Sequence, residues 1–216
     1  MENILENAPA TGVFCFDGKV ALASEDAILV LNGKNQLTGF YHRKSGLNLI
    51  APNSELFEIA QTAGDLVCAS EFTRFSAEAD GTRALKLCFF DHVAEIRHVT
   101  VRVSVEDDGL FHFRCMIQNQ NACIIERIRF FQFQIHKNFT GSGEDTGKLV
   151  APTICGHLLV EHPWSKEHTI EAFYPRSMDV QLLAGYPAEA GLYFAAESLH
   201  RRYPAVGHGN GRQQRI

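Results

Sequence analysis

The stretch that decides the fold is residues 99–117, VTVRVSVEDDGLFHFRCMI. Apolar residues occupy every second position on both sides of the turn sequence Asp107-Asp108-Gly109, beginning with Val99 before it and with Phe111 after it. An alternation with period two is typical of an antiparallel strand with one buried face. An Asp-Gly turn between two such strands is a strong hairpin signal. The sequence therefore predicts a β-hairpin at 99–117.

The same pattern recurs along the chain. Residues 27–31 and 37–41 are two apolar segments separated by the turn sequence Asn32-Gly33-Lys34-Asn35, which predicts a second hairpin. Further strands are predicted at 47–50, 56–60, 71–78, 83–90 and 123–136. In the last of these the apolar side changes midway, and this change predicts a β-bulge or a bend.

About a dozen short strands without a sustained helical period predict an all-β fold of two packed antiparallel sheets. A chain of 216 residues with 45% hydrophobic content can bury one substantial core. We therefore expect one sandwich domain over residues 1–198. Residues 199–216 are rich in Gly, His and Arg, and we expect them to form an irregular tail because their few apolar residues cannot offset ordering entropy.

The overall charge excludes some classes of protein. A net charge of −5 provides no basic footprint for nucleic acid, so no nucleic-acid partner is predicted. No segment approaches the roughly 18 uncharged apolar residues of a membrane-spanning helix. Acidic residues within the first twenty positions do not fit a secretory signal, so a cytoplasmic location is expected. Six cysteines without a CxxC pair predict reduced, mostly buried thiols.

Two motifs resemble cofactor sites but fail on spacing. The loop Gly141–Lys148 lacks the first glycine of a phosphate loop, and Leu149 stands where Ser or Thr should follow the lysine. The histidines at 157, 162 and 168 are spaced by five and six residues, which fits neither a helical nor a short-strand zinc pair. No metal and no cofactor are predicted.

Acidic pairs and aromatic residues were also considered as parts of a sugar site. Glu144 with Asp145, or Glu161 with Glu167, could pose as a glycosidase pair, but proximity in a loop does not establish the separation of roughly 5 to 9.5 Å that this chemistry requires. The sole tryptophan, Trp164, with Phe173 and Tyr174 nearby, offers flat apolar faces suited to a pyranose ring. The alternative is that these aromatic residues close one end of the sandwich.

Three segments in order carry a family resemblance. They are ILVLNGKNQLTGFYHRKSGLNLIAP (28–52), LVAPTICGHLLVEHP (149–163) and YPRSMDVQLLAGYPAEAGLYFAAES (174–198). Together they resemble the N-terminal β-supersandwich domain, of galactose mutarotase-like fold, of bacterial glycoside hydrolases similar to endo-α-N-acetylgalactosaminidase. The likeness covers roughly residues 25–198.

The resemblance implies a function as well as a fold. In such enzymes the supersandwich precedes a (β/α)₈ barrel that holds the catalytic carboxylates, so it implies a non-catalytic, carbohydrate-associated module with a barrel domain as partner. No catalytic residue is carried over, and a truncated or excised N-terminal part is expected. The candidate carbohydrate-binding residues are Trp164, His162, Tyr174 and Arg176.

Two other functions stay open at this point. An aldose 1-epimerase-like enzyme is one, because His162-Pro163-Trp164 resembles the His-Pro-aromatic motif of mutarotases. A lectin-like carbohydrate-binding module is the other. An epimerase needs two histidines and a carboxylate that converge in one concavity, whereas a lectin-like site needs exposed aromatic residues with polar partners.

Overall fold

The structure is a computed structural model that describes residues 4–50, 54–61, 66–91, 96–119, 124–132, 148–153, 156–161, 182–186 and 192–195. The chain forms two compact units, Met1–Phe139 and Thr140–Ile216. Across the described ranges, regular structure consists of one short helix, one 3₁₀ turn and strands that pair only in antiparallel fashion. The predicted all-β antiparallel class is confirmed. The expectation of one domain over 1–198 stays a prediction, and the tail at 199–216 lies outside the described residues.

The first unit begins with helix α1 (Ile4–Asn7) and contains a 3₁₀ turn (Ala69–Glu71). Its strands are β1 (Gly12–Phe16), β2 (Lys19–Ala23), β3 (Ala27–Leu31), β4 (Leu37–His42), β5 (Glu55–Gln61), β6 (Leu66–Cys68), β7 (Arg74–Ala79), β8 (Ala84–Phe90), β9 (Ile96–Val105), β10 (Phe111–Asn119) and β11 (Ile125–Gln132). They form three sheets, with the strand orders β1-β2-β3-β4, β10-β9-β8-β7 and β11-β5-β6.

The second unit has one described sheet. Its strands are β12 (Lys148–Thr153), β13 (Gly156–Glu161), β14 (Leu182–Tyr186) and β15 (Leu192–Ala195), in the order β13-β12-β14-β15. Strands β12 and β13 form a hairpin in which Lys148 lies opposite Glu161. The apolar stretches singled out in the sequence therefore form strands here too.

The hairpin predicted at 99–117 is confirmed as β9 and β10. Val99 lies opposite Ile117 and Val105 lies opposite Phe111, so the apolar positions of the two strands share a face. Gly109 closes the turn with φ +77°, a conformation that glycine adopts without the steric penalty of a Cβ. The four alternating valines are all buried, and together with strands β2 to β8 they form the principal core of this unit.

Phenylalanine rings fill the centre of that core. Phe89 of β8 contacts Phe57 of β5, Phe72 and Phe75 edge to face, with ring centroids 4.9, 5.8 and 5.8 Å apart. Edge-to-face rings add about 0.5–1.5 kcal/mol per pair beyond the burial of their area. Because Phe57 and Phe89 belong to different sheets, these contacts join two layers, as a sandwich requires.

The predicted irregularity in the segment 123–136 is a bulge in β11. The register shifts between Ile125, opposite Gln61, and Arg127, opposite Ala60, so that Glu126 is the extra residue. Ile128 then lies opposite Ile59, a fully buried core residue. The bulge therefore returns Ile125 and Ile128 to the same side, although they are three residues apart.

Some elements differ from the sequence prediction. The hairpin of β1 and β2 was not predicted, although its turn, Asp17-Gly18, is a strong hairpin signal between two apolar segments, and both residues have the positive φ values of such a turn. Strand β7 begins at Arg74 rather than at 71, because Ala69–Glu71 forms the 3₁₀ turn. Residues 47–50 make isolated bridges instead of a full strand.

Asn35 connects the turn between β3 and β4 to the neighbouring sheet. Its backbone has φ +55°, and its buried side-chain amide donates hydrogen bonds to the carbonyl oxygens of Ser76 (3.0 Å) and Cys88 (3.3 Å). Asparagine tolerates the left-handed conformation better than most residues with a Cβ. One residue therefore sets both the shape of the turn and its attachment to β7 and β8.

We predict that Asn35→Ala lowers the free energy of unfolding by about 2 kcal/mol, because two buried carbonyls lose a donor and alanine is strained at this φ. Asn35→Gly also removes the donor, but glycine adopts this φ without strain. This variant should therefore lose less stability than Asn35→Ala. Urea denaturation followed by circular dichroism measures both variants. Equal stability of Asn35→Ala and the unsubstituted chain would contradict this role.

We predict that Phe89→Ala destabilises the fold by about 3–5 kcal/mol, because it leaves a cavity among three other rings. Phe89→Leu retains most of the volume and should cost clearly less. Phe14→Ala, on the partly exposed strand β1, is the matched control. Thermal unfolding measures all three, and similar losses for Phe89→Ala and Phe14→Ala would show that the aromatic cluster is not the centre of stability.

Candidate functional site on the outer face of the β7–β10 sheet

The sheet β10-β9-β8-β7 has one face in the core and one directed away from it. We call the second the outer face. It carries the side chains that alternate with the core residues: Arg74, Ser76, Glu78, Lys86, Cys88, Phe90, His98, Thr100, Arg102, Ser104, His112, Arg114, Met116 and Gln118. Met116 is 60% exposed, and Lys86 and Arg114 are exposed as well. Cys88, Thr100 and Ser104 are buried, so the accessible part of the face consists of the exposed and half-buried aromatic, cationic and polar groups around them.

One end of the outer face is aromatic. The Phe90 ring stacks on the imidazole of His98, with centroids 4.5 Å apart and planes inclined by 17°. The Arg74 guanidinium lies 5.1 Å from the Phe90 centroid, within the range of a cation–π contact, and its Nε is 3.1 Å from the Asp91 carboxylate. His98 Nε2 is 3.0 Å from the Thr100 hydroxyl, which fixes the imidazole plane.

A row of charged residues crosses the middle of the face. The register places Glu78 opposite Lys86, Lys86 opposite Arg102, and Arg102 opposite Arg114. Three cationic side chains on adjacent strands therefore follow one another across the sheet. We call Lys86, Arg102 and Arg114 the cationic row.

A polar pocket of about 220 Å³ lies at the other end, where β7, β8 and β9 meet the loops beside them. It is lined by Asp80, Arg83, Ala84, Arg102, Ser104, Val105, Glu106 and Asp107. Its guanidinium groups are held by acidic partners: Arg83 Nη1 lies 2.8 Å from Asp107 and Arg102 Nε lies 2.6 Å from Asp80. Ion pairs as exposed as these add little stability, so their main effect is to orient the side chains.

The remaining polar atoms of the pocket are also arranged by local contacts. Arg83 Nη2 donates to the backbone carbonyl of Glu106 at 2.6 Å, and Ser104 Oγ donates to the Glu106 carboxylate at 2.9 Å. The buried Nε of Arg83 has no hydrogen-bond partner among the described residues. The pocket therefore presents donors and acceptors side by side.

The neighbouring turn contributes a further charged pair. Asp108 accepts a hydrogen bond from the backbone N–H of Leu110 and lies 3.2 Å from His112 Nε2. The Leu110 amide and, secondly, the His112 imidazole hold the pKa of the Asp108 carboxyl below its ordinary value. This carboxylate thus stays ionised at the edge of the outer face.

The structure does not describe the sequence-based candidates for sugar binding. Trp164, His162, Tyr174 and Arg176 are outside the described residues, as are Glu144, Asp145, Glu167 and His168. His157 and Glu161 belong to β13, where the backbone register pairs them with Pro152 and Lys148. The prediction of a site at Trp164 and its neighbours stays a prediction.

The residues of the outer face were missed because no motif joins them in sequence. Arg102 and Arg114 are visible as polar positions of the predicted hairpin, and their equal distances from the centre of the turn would have paired them. Lys86 enters the row only through the pairing of β8 with β9, which requires the sheet order. The hairpin alone therefore predicts two members of the cationic row and leaves out the third.

Metal binding and thiol chemistry find little support within the part of the chain that the structure describes. No group of three or more His, Cys, Asp or Glu side chains there could hold a metal ion. Burial raises the pKa of the Cys115 thiol to about 12, and burial followed by the charges of Glu71 and Glu55 raises that of Cys68 to about 11. These thiols are protonated at neutral pH and are poor nucleophiles.

Comparison with known proteins leaves the family open. No protein-family model matches this chain, and no curated protein is significantly similar to it. In the described ranges there is also no helix of the length and apolarity needed to cross a membrane. The interpretation of the outer face therefore rests on its own geometry.

We predict that Cys115 is alkylated by iodoacetamide at pH 8 at least about tenfold more slowly than the exposed Cys15, because only the thiolate reacts. The rate at Cys115 should continue to rise with pH until about pH 12, where its thiol ionises in the folded state. Peptide mapping by mass spectrometry measures both sites. Equal labelling of the two cysteines at pH 8 would contradict the assignment.

Proposed function

We propose that this chain is a non-catalytic, carbohydrate-associated β-sandwich module that binds glycan on the outer face of the β7–β10 sheet. The observation that carries the proposal is the polar pocket bounded by Arg83, Arg102 and Asp80, whose lining residues Arg102 and Ser104 lie on the same face as the Phe90–His98 stack. Saccharides combine hydroxyl groups that both donate and accept hydrogen bonds with apolar C–H faces. The outer face offers a partner for each.

The pocket is suited to hydroxyl groups. Guanidinium nitrogens donate and carboxylate oxygens accept, and charge-assisted hydrogen bonds of this kind are stronger than neutral ones. The contacts of Arg83 with Asp107 and with the Glu106 carbonyl hold the guanidinium in one orientation before any ligand arrives. Prior orientation lowers the entropy that binding costs.

The aromatic end is suited to the apolar side of a sugar ring. Phe90, His98 and the exposed Met116 lie on neighbouring strands of the same face. Aromatic faces interact favourably with C–H groups, and a thioether adapts its shape to irregular surfaces. A saccharide of more than one unit would thus contact apolar and polar zones of the outer face.

Among the described residues, the two histidines of the outer face do not support epimerase chemistry there, whereas His162, which the epimerase alternative involves, lies outside the described residues. His98 and His112 both lie on the outer face, but His112 is opposite Ser104, six residues from His98 along β9. At about 3.3 Å per residue this separation is about 20 Å, too far for both imidazoles to reach one sugar ring. The (β/α)₈ barrel partner implied by the family resemblance, like the cytoplasmic location, stays a prediction.

We predict that the chain binds at least one saccharide on a glycan microarray, and that Arg83→Ala weakens that binding at least about tenfold, a change of about 1.4 kcal/mol. Arg127→Ala, an exposed arginine on β11 in another sheet, is the matched control and should leave binding unchanged. Isothermal titration with the saccharide identified on the array measures the affinities.

Two results would overturn the proposed function. One is the absence of binding to every saccharide on the array by the folded, monodisperse chain. The other is an equal loss of affinity in Arg83→Ala and Arg127→Ala. That result would mean that Arg83 has no special role and that the saccharide does not bind in the pocket.

A further inference from the structure

We propose that the cationic row, Lys86, Arg102 and Arg114, recognises a sulfate or carboxylate group on the bound glycan. This inference rests on the proposed function, since it assumes that a saccharide occupies the outer face, and it adds the class of saccharide. The register of the strands, the pairing of the charges and the net charge of the whole chain all indicate an anionic ligand.

The register fixes the geometry of the row. Lys86 of β8, Arg102 of β9 and Arg114 of β10 are direct cross-strand neighbours on one face. Adjacent strands lie about 5 Å apart, so the three Cα positions span about 10 Å. A single tetrahedral or planar anion above Arg102 would be within reach of the long side chains on either side.

The charges of the row are only partly neutralised. Arg102 binds Asp80 through Nε, and its terminal nitrogens make no further hydrogen bond among the described residues. Lys86 and Arg114 form no ion pair there, although Glu78 lies opposite Lys86 on the edge strand. Of the other carboxylates near the face, Asp91, Asp107 and Asp108 pair with Arg74, Arg83 and His112, whereas that of Glu106 accepts a hydrogen bond from Ser104. Within the row itself, three cations stand against Glu78 and Asp80, which leaves an excess of one positive charge.

Folding alone does not explain this arrangement. Like charges directly opposite one another on adjacent strands destabilise a sheet. Three in succession on one face therefore repel one another. An anion bound above the row would remove the repulsion, and the guanidinium fork of Arg114 or Arg102 matches the oxygen geometry of sulfate and carboxylate.

The net charge of the chain favours an anionic saccharide over a nucleic acid. The whole chain carries −5, so a long polyanion would be repelled outside the row. A saccharide with isolated anionic groups places its charge only where the cations are. The polar pocket beside the row then serves the neutral hydroxyl groups of the same molecule.

The probes that test the row are a short dextran oligosaccharide with a single sulfate group, called dextran sulfate below, and the same oligosaccharide without that group, called dextran. Affinity is measured for the complete chain by isothermal titration at low and at high NaCl concentration, with Lys86→Gln, Arg114→Gln and the double variant. Lys34→Gln, an exposed lysine in the turn between β3 and β4, is the matched control. The unfolding temperature of each variant is recorded in parallel.

We expect the unsubstituted chain to bind dextran sulfate at least about tenfold more tightly than dextran, with an affinity that falls as salt rises. The double variant should lose this preference, whereas Lys34→Gln should retain it. The unfolding temperature of the double variant should be unchanged or higher, because its two substitutions remove like-charge repulsion. A loss of binding without a loss of stability separates recognition from misfolding.

Several outcomes would overturn the inference. Equal affinity for dextran and dextran sulfate would refute recognition of an anionic group by the cationic row. The proposed function would still stand, provided that a neutral saccharide binds on the array. An equal loss in Lys34→Gln would show a diffuse charge effect. Binding of a 20-nucleotide single-stranded DNA as tight as that of dextran sulfate would assign the row to polyanions in general.

Discussion

The burial of one face of β9 is the constraint on which the rest of the first unit depends. Val99, Val101, Val103 and Val105 are all buried and lie in the middle of the four-stranded sheet. Burying a valine side chain contributes about 1.5–3 kcal/mol, and the four together fix which way every residue of the strand points. A shift of one residue would expose them all, so the register of β8, β9 and β10 is strongly specified.

That register creates the outer face as a consequence. Once the valines point into the core, Arg102 and its neighbours on β9 must point outward, and pairing with β8 and β10 sets Lys86 and Arg114 beside it. The same alternation places His98 on the outer face, where it stacks on Phe90. The candidate binding surface is thus the polar side of the pattern that builds the core, which explains how a rigid scaffold can present a charged site.

The fold was more predictable from sequence than the site, for physical reasons. Period-two alternation and Asp-Gly or Asn-Gly turns are local signals, so short stretches of sequence predict the β3–β4 and β9–β10 hairpins. The β1–β2 hairpin carries the same kind of signal in its Asp17-Gly18 turn but was not predicted. The outer face depends on long-range pairing, such as that of Lys86 with Arg102, and on contacts such as that of Asn35 with the Cys88 carbonyl. Neither is encoded in local spacing.

The central claim is that a saccharide binds on the outer face of the β7–β10 sheet. Chemical-shift mapping by NMR on the ¹⁵N-labelled chain, titrated with the saccharide identified on the array, tests it most directly. The account predicts that the largest shifts occur at the backbone amides of residues 84–90, 98–104 and 112–118, with little change in β1 and β2. Large shifts confined to other strands or to the Trp164 region, with the amides of Lys86, Arg102 and Arg114 unchanged, would contradict it.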